Sequence, residues 1–170
     1  MTSDGRPTVG VVGSGASNEA VTKLAFETGR EIARNNAVLI CGGGSGVMEA
    51  ACSGAKTIGG TTIGLLPGEN AHSSPPNGHL DYALFTGLGQ GRNQIIVLSS
   101  DVVIAVGGEW GTLSEIALAF KHDIPVILLN SWSVEGPDGQ GLDLQRAASA
   151  KEAVAKALGL LGVEPVTPLP

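Results

Sequence analysis

The sequence contains few charged residues, and its positive charge is not concentrated anywhere. Of its 170 residues 15% are charged, the formal net charge is −6, and no basic run or stripe occurs. Proteins that bind nucleic acids carry such a basic footprint, so the sequence argues against a nucleic-acid partner. An anionic ligand must therefore be attracted locally, by helix ends and one or two cations, and not by the overall field of the protein.

Cysteines and long apolar runs are also scarce. Cys41 and Cys52 are too few for a disulfide framework, and their spacing fits neither C-x-x-C nor a zinc pattern, so we expect no metal site. No apolar stretch approaches the roughly 18 residues of a membrane span, so we expect no membrane association. The N-terminal stretch MTSDGRPTVGVV lacks the basic head, long apolar run and cleavage site of a secretion signal, so we expect a cytoplasmic protein.

Glycine, in contrast, is abundant and marks the ends of apolar runs. Hydrophobic residues make up 42% of the chain, which also has 26 glycines. Short β-branched runs alternate with amphipathic helical segments, a pattern typical of a parallel sheet covered on both faces. We therefore predict an α/β fold: a single domain over residues 1–170 with a Rossmann-like, doubly wound parallel sheet flanked by helices, and a core at about residues 8–130. The predicted strands lie in TVGVVGSG, AVLICGGGSG, TTIGLLPG, DYALFT, DVVIAV and PVILLN.

Several helix boundaries can be predicted from capping residues and periodicity. Ser17 is placed to cap the first helix. The stretch GLGQGRNQIIVLSS is helical in its second half, and a later helix begins at Thr112 after the fifth strand. A closing amphipathic helix is predicted from about Gln145 to Leu160.

The glycines at positions 13–15 suggest a dinucleotide-binding turn, but the surrounding residues exclude it. The fingerprint needs a third small residue three positions after the second glycine, and Asn18 stands there. It also needs a carboxylate at the end of the second strand, where this sequence has Cys41 and Gly42. The phosphate loop of ATPases, G-x-x-x-x-G-K-[ST], is missing from the sequence as well. We therefore expect neither NAD nor FAD as a cofactor.

Glycine-rich turns follow four of the predicted strands, at residues 13–15, 42–46, 87–91 and 107–111. In a parallel sheet such turns meet at the carboxyl edge. Glycine lets backbone N–H groups approach an anion closely, and the N-terminus of the next helix adds partial positive charge. Four such turns at one edge predict a site for a small phosphorylated ligand. The backbone groups assigned to this site belong to Gly13, Gly15, Gly42, Gly43, Gly44, Gly107, Gly108, Gly111 and Thr112.

Arg92 is the candidate cation of this site. It is the only arginine between residues 35 and 145, and it directly follows the turn GLGQG. Its planar fork of donors suits phosphate recognition. The alternative is an exposed surface arginine without a role in binding.

The stretch GGEWGTLSE contains three further candidates. Thr112 and Glu115 have the spacing of a capping box, in which each side chain satisfies a backbone donor of the other residue. If the turn faces a ligand instead, Gly111 and Thr112 form a phosphate cradle, and Glu115 points toward the sugar or polar ring of the ligand. Trp110 either stacks on a heteroaromatic ring, or plugs the rim or an oligomer contact.

Several of these motifs resemble one known superfamily. GGG at 42–44, GRN at 91–93 and GGEWGTLSE at 107–115, in this order and spacing, resemble the lonely-guy-type phosphoribohydrolases, which release cytokinin bases from nucleoside monophosphates. Within that superfamily, GGTTIGLLPG, LSSDVVIAVGG and GTLSEIALAFKHDIPVILL resemble the branch of molybdenum-cofactor carriers more closely.

The resemblance to the carriers implies a Rossmann-like homo-oligomer, a dimer or tetramer, that holds the molybdenum cofactor (molybdopterin) without cleaving a bond. It also implies that Arg92, Asn93 and Glu115 belong to the cofactor-binding residues, together with the glycine turns and Trp110. The hydrolases imply an alternative, a nucleoside 5′-monophosphate phosphoribohydrolase. Arg92 and Glu115 would then be catalytic, with Glu115 stabilising the developing positive charge or positioning water.

The sequence departs from the hydrolase motif, usually written P-G-G-x-G-T-x-x-E, at three points. Val106 replaces the proline, and Asn93 replaces a lysine that follows the arginine. Glu109 and Trp110 lengthen the turn by one residue. The arginine and glutamate credited with hydrolysis are nevertheless retained, so both functions stay open at this point.

Overall fold

A parallel β-sheet forms the centre of the protein. The computed structural model describes residues 1–136, 139, 141 and 144–165. Within these residues the strands are β1 (Thr8–Gly13), β2 (Val38–Cys41), β3 (Thr62–Leu66), β4 (Tyr82–Phe85), β5 (Val102–Val106), β6 (Val126–Leu129) and β7 (Gln145–Ala147). They lie in the order β4-β3-β2-β1-β5-β6-β7, and every neighbouring pair is parallel.

Helices cover both faces of the sheet, so the predicted doubly wound fold is confirmed. In the described residues they are α1 (Glu19–Arg34), α2 (Val47–Lys56), α3 (Arg92–Leu98), α4 (Trp110–Lys121) and α5 (Ala150–Leu160). One core cluster joins α1, α2 and α5 to one face, and a second joins α3 and α4 to the other. None of the described helices is both long and apolar enough to cross a lipid bilayer.

The central strands are apolar at every position because both of their faces are covered. Every residue of β2, β5 and β6 is buried. In β1, Val9 and Val11 pack into the core on the α1 side, and Val12 packs into the core on the α3 side. Continuous apolar runs are typical of strands in such a sandwiched parallel sheet.

The order of the strands creates a switch point between β1 and β5. From β1 the chain winds outward through β2 and β3 to β4, then returns to β5 and winds outward on the other side to β7. The connections that leave β1 and β5 therefore diverge. In doubly wound proteins, ligands bind in the crevice that opens at this point, at the carboxyl ends of the strands.

The predicted cap of the first helix is wrong by one residue. Asn18 is the N-cap of α1, and its side chain accepts a hydrogen bond from the N–H of Val21 at 3.0 Å. The Ser17 hydroxyl lies 2.8 Å from that of Thr22 instead. Ser and Asn are equally good caps, so residue type alone does not decide between adjacent positions.

The predicted start of the closing helix is also wrong. Gln145 to Ala147 form strand β7, in which Arg146 pairs with Leu128 of β6. Helix α5 begins only at Ala150, where the side chain of the N-cap Ser149 accepts from the N–H of Glu152. The strand was missed because two of its three residues are polar and exposed, so only its pairing with β6 makes it a strand.

Helices α1 and α2 pack closely because glycines stand where their backbones meet. A Cβ atom added to Gly29 would lie 1.8 Å from the carbonyl oxygen of Ala51, and one added to Gly54 would lie 1.9 Å from that of Phe26. The packed interior cannot take up an atom at such a distance without moving a helix.

We expect Gly29→Ala to lower the free energy of unfolding by about 2 kcal/mol, because the two helices must move apart. The matched control is Gly159→Ala in α5, where an added Cβ meets no described atom within 4 Å. That substitution should raise stability by about 0.5–1 kcal/mol through helix propensity. Urea unfolding of both variants tests the prediction, and a Gly29→Ala protein as stable as the wild type would contradict it.

Candidate functional site

A cavity opens at the switch point, between the carboxyl ends of β1 and β2 and the first turns of α3 and α4. Its volume is about 130 Å³. We call it the Arg92 cavity. Its lining residues are Val11, Val12, Gly13, Ser14, Gly15, Gly42, Met48, Gln90, Arg92, Asn93, Glu109, Gly111, Thr112 and Glu115.

Arg92 is held inside this cavity by an ion pair. Its Nη1 lies 3.3 Å from Oε1 of Glu115, and the two side chains are only 14% and 7% exposed. The Nε of Arg92 is buried and has no hydrogen-bond partner among the described residues. The alternative of an exposed surface arginine is therefore wrong, because the fork is anchored by α4 and still has an unused donor.

Gly42 makes room for the guanidinium. A Cβ atom at this position would lie 2.5 Å from Nη2 of Arg92 and 2.6 Å from Nη1. The last residue of β2 is Cys41, so Gly42 follows directly at the carboxyl edge of the sheet. A glycine is thus needed here for the close approach of a side chain, in addition to the backbone role that the sequence suggested.

We expect Gly42→Ala to weaken anion binding with little loss of stability. The new methyl group clashes with the end of a flexible side chain, which can swing away without moving the backbone. The displaced fork should lose at least one charge-assisted hydrogen bond to an anion, about a tenfold loss of affinity for sulfate. Calorimetric titration measures this, with Gly159→Ala as the control. Unchanged sulfate affinity, or unfolding of the variant, would contradict the prediction.

Glu115 is poised between two protonation states. Burial raises the pKa of its carboxyl from 4.5 to about 7, although the positive charge of Arg92 opposes the shift. When Glu115 is protonated, it no longer neutralises Arg92, and the cavity is more favourable to anions. When Glu115 is ionised, it neutralises Arg92 and competes with an anionic ligand.

The N-terminus of α4 is built differently from the predicted capping box. The helix begins at Trp110, two residues before the predicted start at Thr112. Its N-cap is Glu109, whose side chain makes no capping bond in the described part of the chain. Glu115 turns to the guanidinium instead, and Oγ1 of Thr112 is buried without a described partner. The capping box is therefore wrong. The first-turn amides, which lack partners within a helix, lie beside the cavity at Gly111 and Thr112.

Asn93 lies next to Arg92 and is 5% exposed. Its Nδ2 donates to Oγ of Ser114 at 3.1 Å, and that hydroxyl donates to the carbonyl oxygen of Gly111 at 2.7 Å. The amide oxygen of Asn93 is buried and has no partner among the residues that the structure describes. Asn93 therefore joins α3 to the first turn of α4 and keeps one polar atom unused.

Two of the predicted glycines stand behind the cavity. The N–H of Gly43 donates to Sγ of Cys41 at 3.3 Å, and its carbonyl accepts from Nδ2 of Asn77 at 3.1 Å. An added Cβ on Gly44 would lie 3.3 Å from the methyl carbon of Met48. Neither glycine belongs to the described lining of the cavity. The Gly43 amide is already used by the chain, so of the GGG run only Gly42 reaches the cavity.

Gly107 and Gly108 line a separate space, which we call the Trp132 hollow. Its volume is about 320 Å³, and it lies beyond the carboxyl ends of β5 and β6. Both glycines have positive φ angles, 60° and 133°, so they let the chain turn sharply from β5 into α4. The structure thus brings these two glycines near the cavity but not into its lining. The hollow is lined by Gly107, Gly108, Asn130, Ser131 and Trp132.

Trp110 stands between two hollows at the rim. It is 77% exposed, and the centre of its ring lies 5.4 Å from that of Trp132. On its other side a depression of about 640 Å³, the Trp110 hollow, adjoins the Arg92 cavity. In the described residues the predicted rim is therefore divided into several spaces and does not form one pocket. The Trp110 hollow is lined by Gln90, Asn93, Trp110, Gly111, Ser114 and Leu118.

Six lining residues are absent from the candidates that the sequence gave: Val11, Val12, Ser14, Met48, Gln90 and Glu109. Ser14 and Gln90 lie inside glycine turns that the sequence did identify, so their position at strand ends could have indicated them. Met48 is an apolar residue in a helix and gave no signal, because such residues usually belong to the core. Among the described residues, no group of His, Cys, Asp and Glu side chains is arranged to hold a metal ion.

The chain belongs to the SLOG cluster4 family, whose sequence profile matches residues 6–158. It is 39% identical to the molybdenum cofactor binding protein of the phototrophic bacterium Rippkaea orientalis, with a TM-score of 0.81 over 92% of this chain and 98% of that one. It is 38% identical to the molybdenum cofactor carrier protein of Chlamydomonas reinhardtii, with a TM-score of 0.79 and the same two coverages.

A more distant relative is an enzyme. The chain is 32% identical, over 117 residues, to the cytokinin riboside 5′-monophosphate phosphoribohydrolase of Mycobacterium tuberculosis. This match covers 65% of the chain and 63% of the enzyme, less than two thirds of that protein's length. The resemblance to the lonely-guy superfamily and its carrier branch, drawn from the motifs, is confirmed.

Proposed function

We propose that this protein is a carrier of the molybdenum cofactor, a phosphorylated pterin that it binds and releases without cleaving a bond. The observation that carries the proposal is the buried Arg92 fork, which keeps an unused donor beside uncapped amides of α4. Such a set of donors suits a phosphate group. The identity of 39% with a molybdenum cofactor binding protein, over nearly the whole chain, supports the choice of ligand.

The Arg92 cavity is too small for the whole ligand, so the ligand must occupy two spaces. Pockets that enclose a whole drug-sized molecule hold about 300–1,000 Å³, whereas the Arg92 cavity holds about 130 Å³. A phosphate group fits this volume, but a pterin with its fused rings does not. In this proposal the phosphate occupies the cavity and the ring system lies in an adjoining hollow at the rim.

Uptake of the cofactor by the purified protein tests the proposal. The protein is incubated with molybdenum cofactor released from a molybdoenzyme, and free cofactor is removed by gel filtration. We expect molybdenum and pterin fluorescence to elute with the protein and to saturate as the cofactor concentration rises. A protein that retains neither would overturn the carrier function.

The alternative is a nucleoside 5′-monophosphate phosphoribohydrolase, which one specific observation favours. A carboxyl with a pKa of about 7, next to a buried arginine, can exchange a proton near neutral pH. The test is incubation with AMP and an isopentenyl-adenine nucleotide, followed by chromatography of the free base. Turnover that Glu115→Gln abolishes would replace the carrier proposal; we expect none.

A further inference from the structure

The side chain of Asn93 is oriented by two linked hydrogen bonds. Ser114 has a single hydroxyl proton, and it is directed to the carbonyl oxygen of Gly111 at 2.7 Å. Toward Asn93 the hydroxyl can therefore only accept, and it accepts from Nδ2 at 3.1 Å. These two bonds determine the positions of the Nδ2 and Oδ1 atoms of Asn93. The atom left without a described partner is therefore the oxygen, and not the nitrogen of the NH₂ group.

This free oxygen is unsuited to an anion. It carries a partial negative charge, so it repels phosphate oxygens, although it lies next to the arginine that attracts them. A buried acceptor is satisfied only by a group that donates N–H or O–H. Since Asn93 lines both the Arg92 cavity and the Trp110 hollow, a ligand group that donates to this oxygen would belong to the part of the ligand that follows the phosphate.

The Trp110 hollow has the size and the surface for that part. Its volume is about 640 Å³, and it shares Gln90, Asn93 and Gly111 with the Arg92 cavity. The exposed indole of Trp110 offers a flat apolar surface for stacking, and Leu118 adds further apolar contact. When the phosphate of a ligand occupies the Arg92 cavity, a flat heteroaromatic ring joined to it would therefore lie in the Trp110 hollow, next to Asn93.

We propose that the Trp110 hollow is the ring subsite of the carried ligand and that the amide oxygen of Asn93 selects a ring with N–H donors over a bare anion. This inference rests on the proposed function, because it assumes a phosphorylated ligand in the Arg92 cavity. The amide and amino N–H groups of a pterin are donors of this kind. A ribose hydroxyl of a nucleotide could donate its O–H to the same oxygen. The test below distinguishes a pterin donor from a ribose donor.

The first variant is Asn93→Leu, which keeps the branched shape and the number of heavy atoms of the side chain and removes the amide, with both its acceptor and its donor to Ser114. Its binding to neopterin monophosphate, AMP and sulfate is measured by calorimetry. We expect about a tenfold loss of affinity for neopterin monophosphate and a change within roughly twofold for sulfate. Gln94→Leu is the matched control, since Gln94 is the exposed next residue of α3 and lies outside the described linings. It should bind all three probes like the wild type.

A second variant tests the orientation of the amide without removing it. Ser114→Ala changes an exposed residue, so we expect it to fold even if Asn93→Leu does not. Without the hydroxyl, the Asn93 amide is free to turn its NH₂ group toward the ligand. The ratio of neopterin monophosphate affinity to sulfate affinity should therefore fall in Ser114→Ala relative to the wild type, and an unchanged ratio would overturn the proposed selection.

Each remaining outcome has a definite meaning. If Asn93→Leu weakens all three probes equally, Asn93 acts only on the structure of the anion site, and the inference is wrong. If it weakens AMP but not neopterin monophosphate, the donor is a ribose hydroxyl and the ring assignment is wrong. If the wild type binds neopterin monophosphate and Asn93→Leu binds it equally well, the proposed ring subsite is wrong, but the carrier function is not contradicted. If the wild type binds sulfate but no phosphorylated pterin, the carrier function and the subsite fail together.

Discussion

Arg92→Ala is expected to lower the affinity for sulfate and for the molybdenum cofactor about 100-fold. The guanidinium supplies two charge-assisted hydrogen bonds to the anion, each worth about 1.5–3 kcal/mol. In the variant the backbone amides still bind the anion, so the loss of affinity is smaller than the sum of the two bonds. Arg92 is the only lysine or arginine among the described lining residues, and the protein as a whole carries a net charge of −6. No long-range attraction therefore replaces the lost cation. Calorimetric titration with sulfate and retention of the cofactor on gel filtration both measure the effect.

Two further variants distinguish the contribution of the planar guanidinium to anion affinity from that of its positive charge. Arg92→Lys keeps the charge and loses the planar fork, so we expect an intermediate affinity. Lys151→Ala changes the net charge by the same amount, but Lys151 is exposed on α5 and lies outside the lining that the structure describes. We expect it to bind like the wild type. An equal loss in both alanine variants would show that net charge, and not the cavity, controls binding.

Glu115→Gln is expected to stabilise the protein above neutral pH relative to the wild type. The pKa of Glu115 is about 7 in the folded protein, against an ordinary value of 4.5. Between these pH values the folded state binds more protons than the unfolded state, so the free energy of unfolding falls as the pH rises. The loss amounts to about 3 kcal/mol by pH 8, and it is absent below pH 4. Glutamine has a similar shape and does not titrate.

Urea unfolding of both proteins from pH 4.5 to pH 8 measures this difference. Other carboxyls, such as Asp81 and Asp101 with lowered pKa values, titrate in both proteins, so their effects cancel in the comparison. Sulfate keeps its charge over this range, so its affinity should also fall with rising pH in the wild type and not in Glu115→Gln. Parallel stability profiles of the two proteins would contradict the prediction and indicate an ordinary pKa for Glu115.

Most of the fold could be predicted from the sequence because the sheet is covered on both faces. Strands covered on both faces must be continuously apolar, and this produced a clear signal for β1, β2, β3, β5 and β6. The edge strand β4 is mostly exposed, but its sequence YALF is still rich in apolar residues. Strand β7 could not be predicted in this way, because its residues are mostly exposed and carry no apolar pattern. Its structure depends on pairing with β6, which is a long-range contact that no local pattern expresses.

The candidate site was predicted in part. The sequence places Arg92 and Glu115 at the same edge of the sheet, but it left the T-x-x-E stretch open between a capping box and a ligand-facing turn. The tertiary contact decided between them: Glu115 is 23 residues from Arg92 in the chain, yet its carboxyl pairs with the guanidinium at 3.3 Å. A carboxyl that makes this ion pair does not cap its own helix.

By itself, the sequence determined the order of strands and helices as far as β6 and the residue types at the carboxyl edge, because periodicity and glycine content are local properties. Only the tertiary structure decided that Gly42 reaches the cavity while the Gly43 amide is bonded to Cys41, and that Trp110 stands between two hollows. It also decided which end of the Asn93 amide is free. The physical reason is that a cavity consists of distances between atoms on different elements, and those distances are set by packing, not by neighbours in the chain.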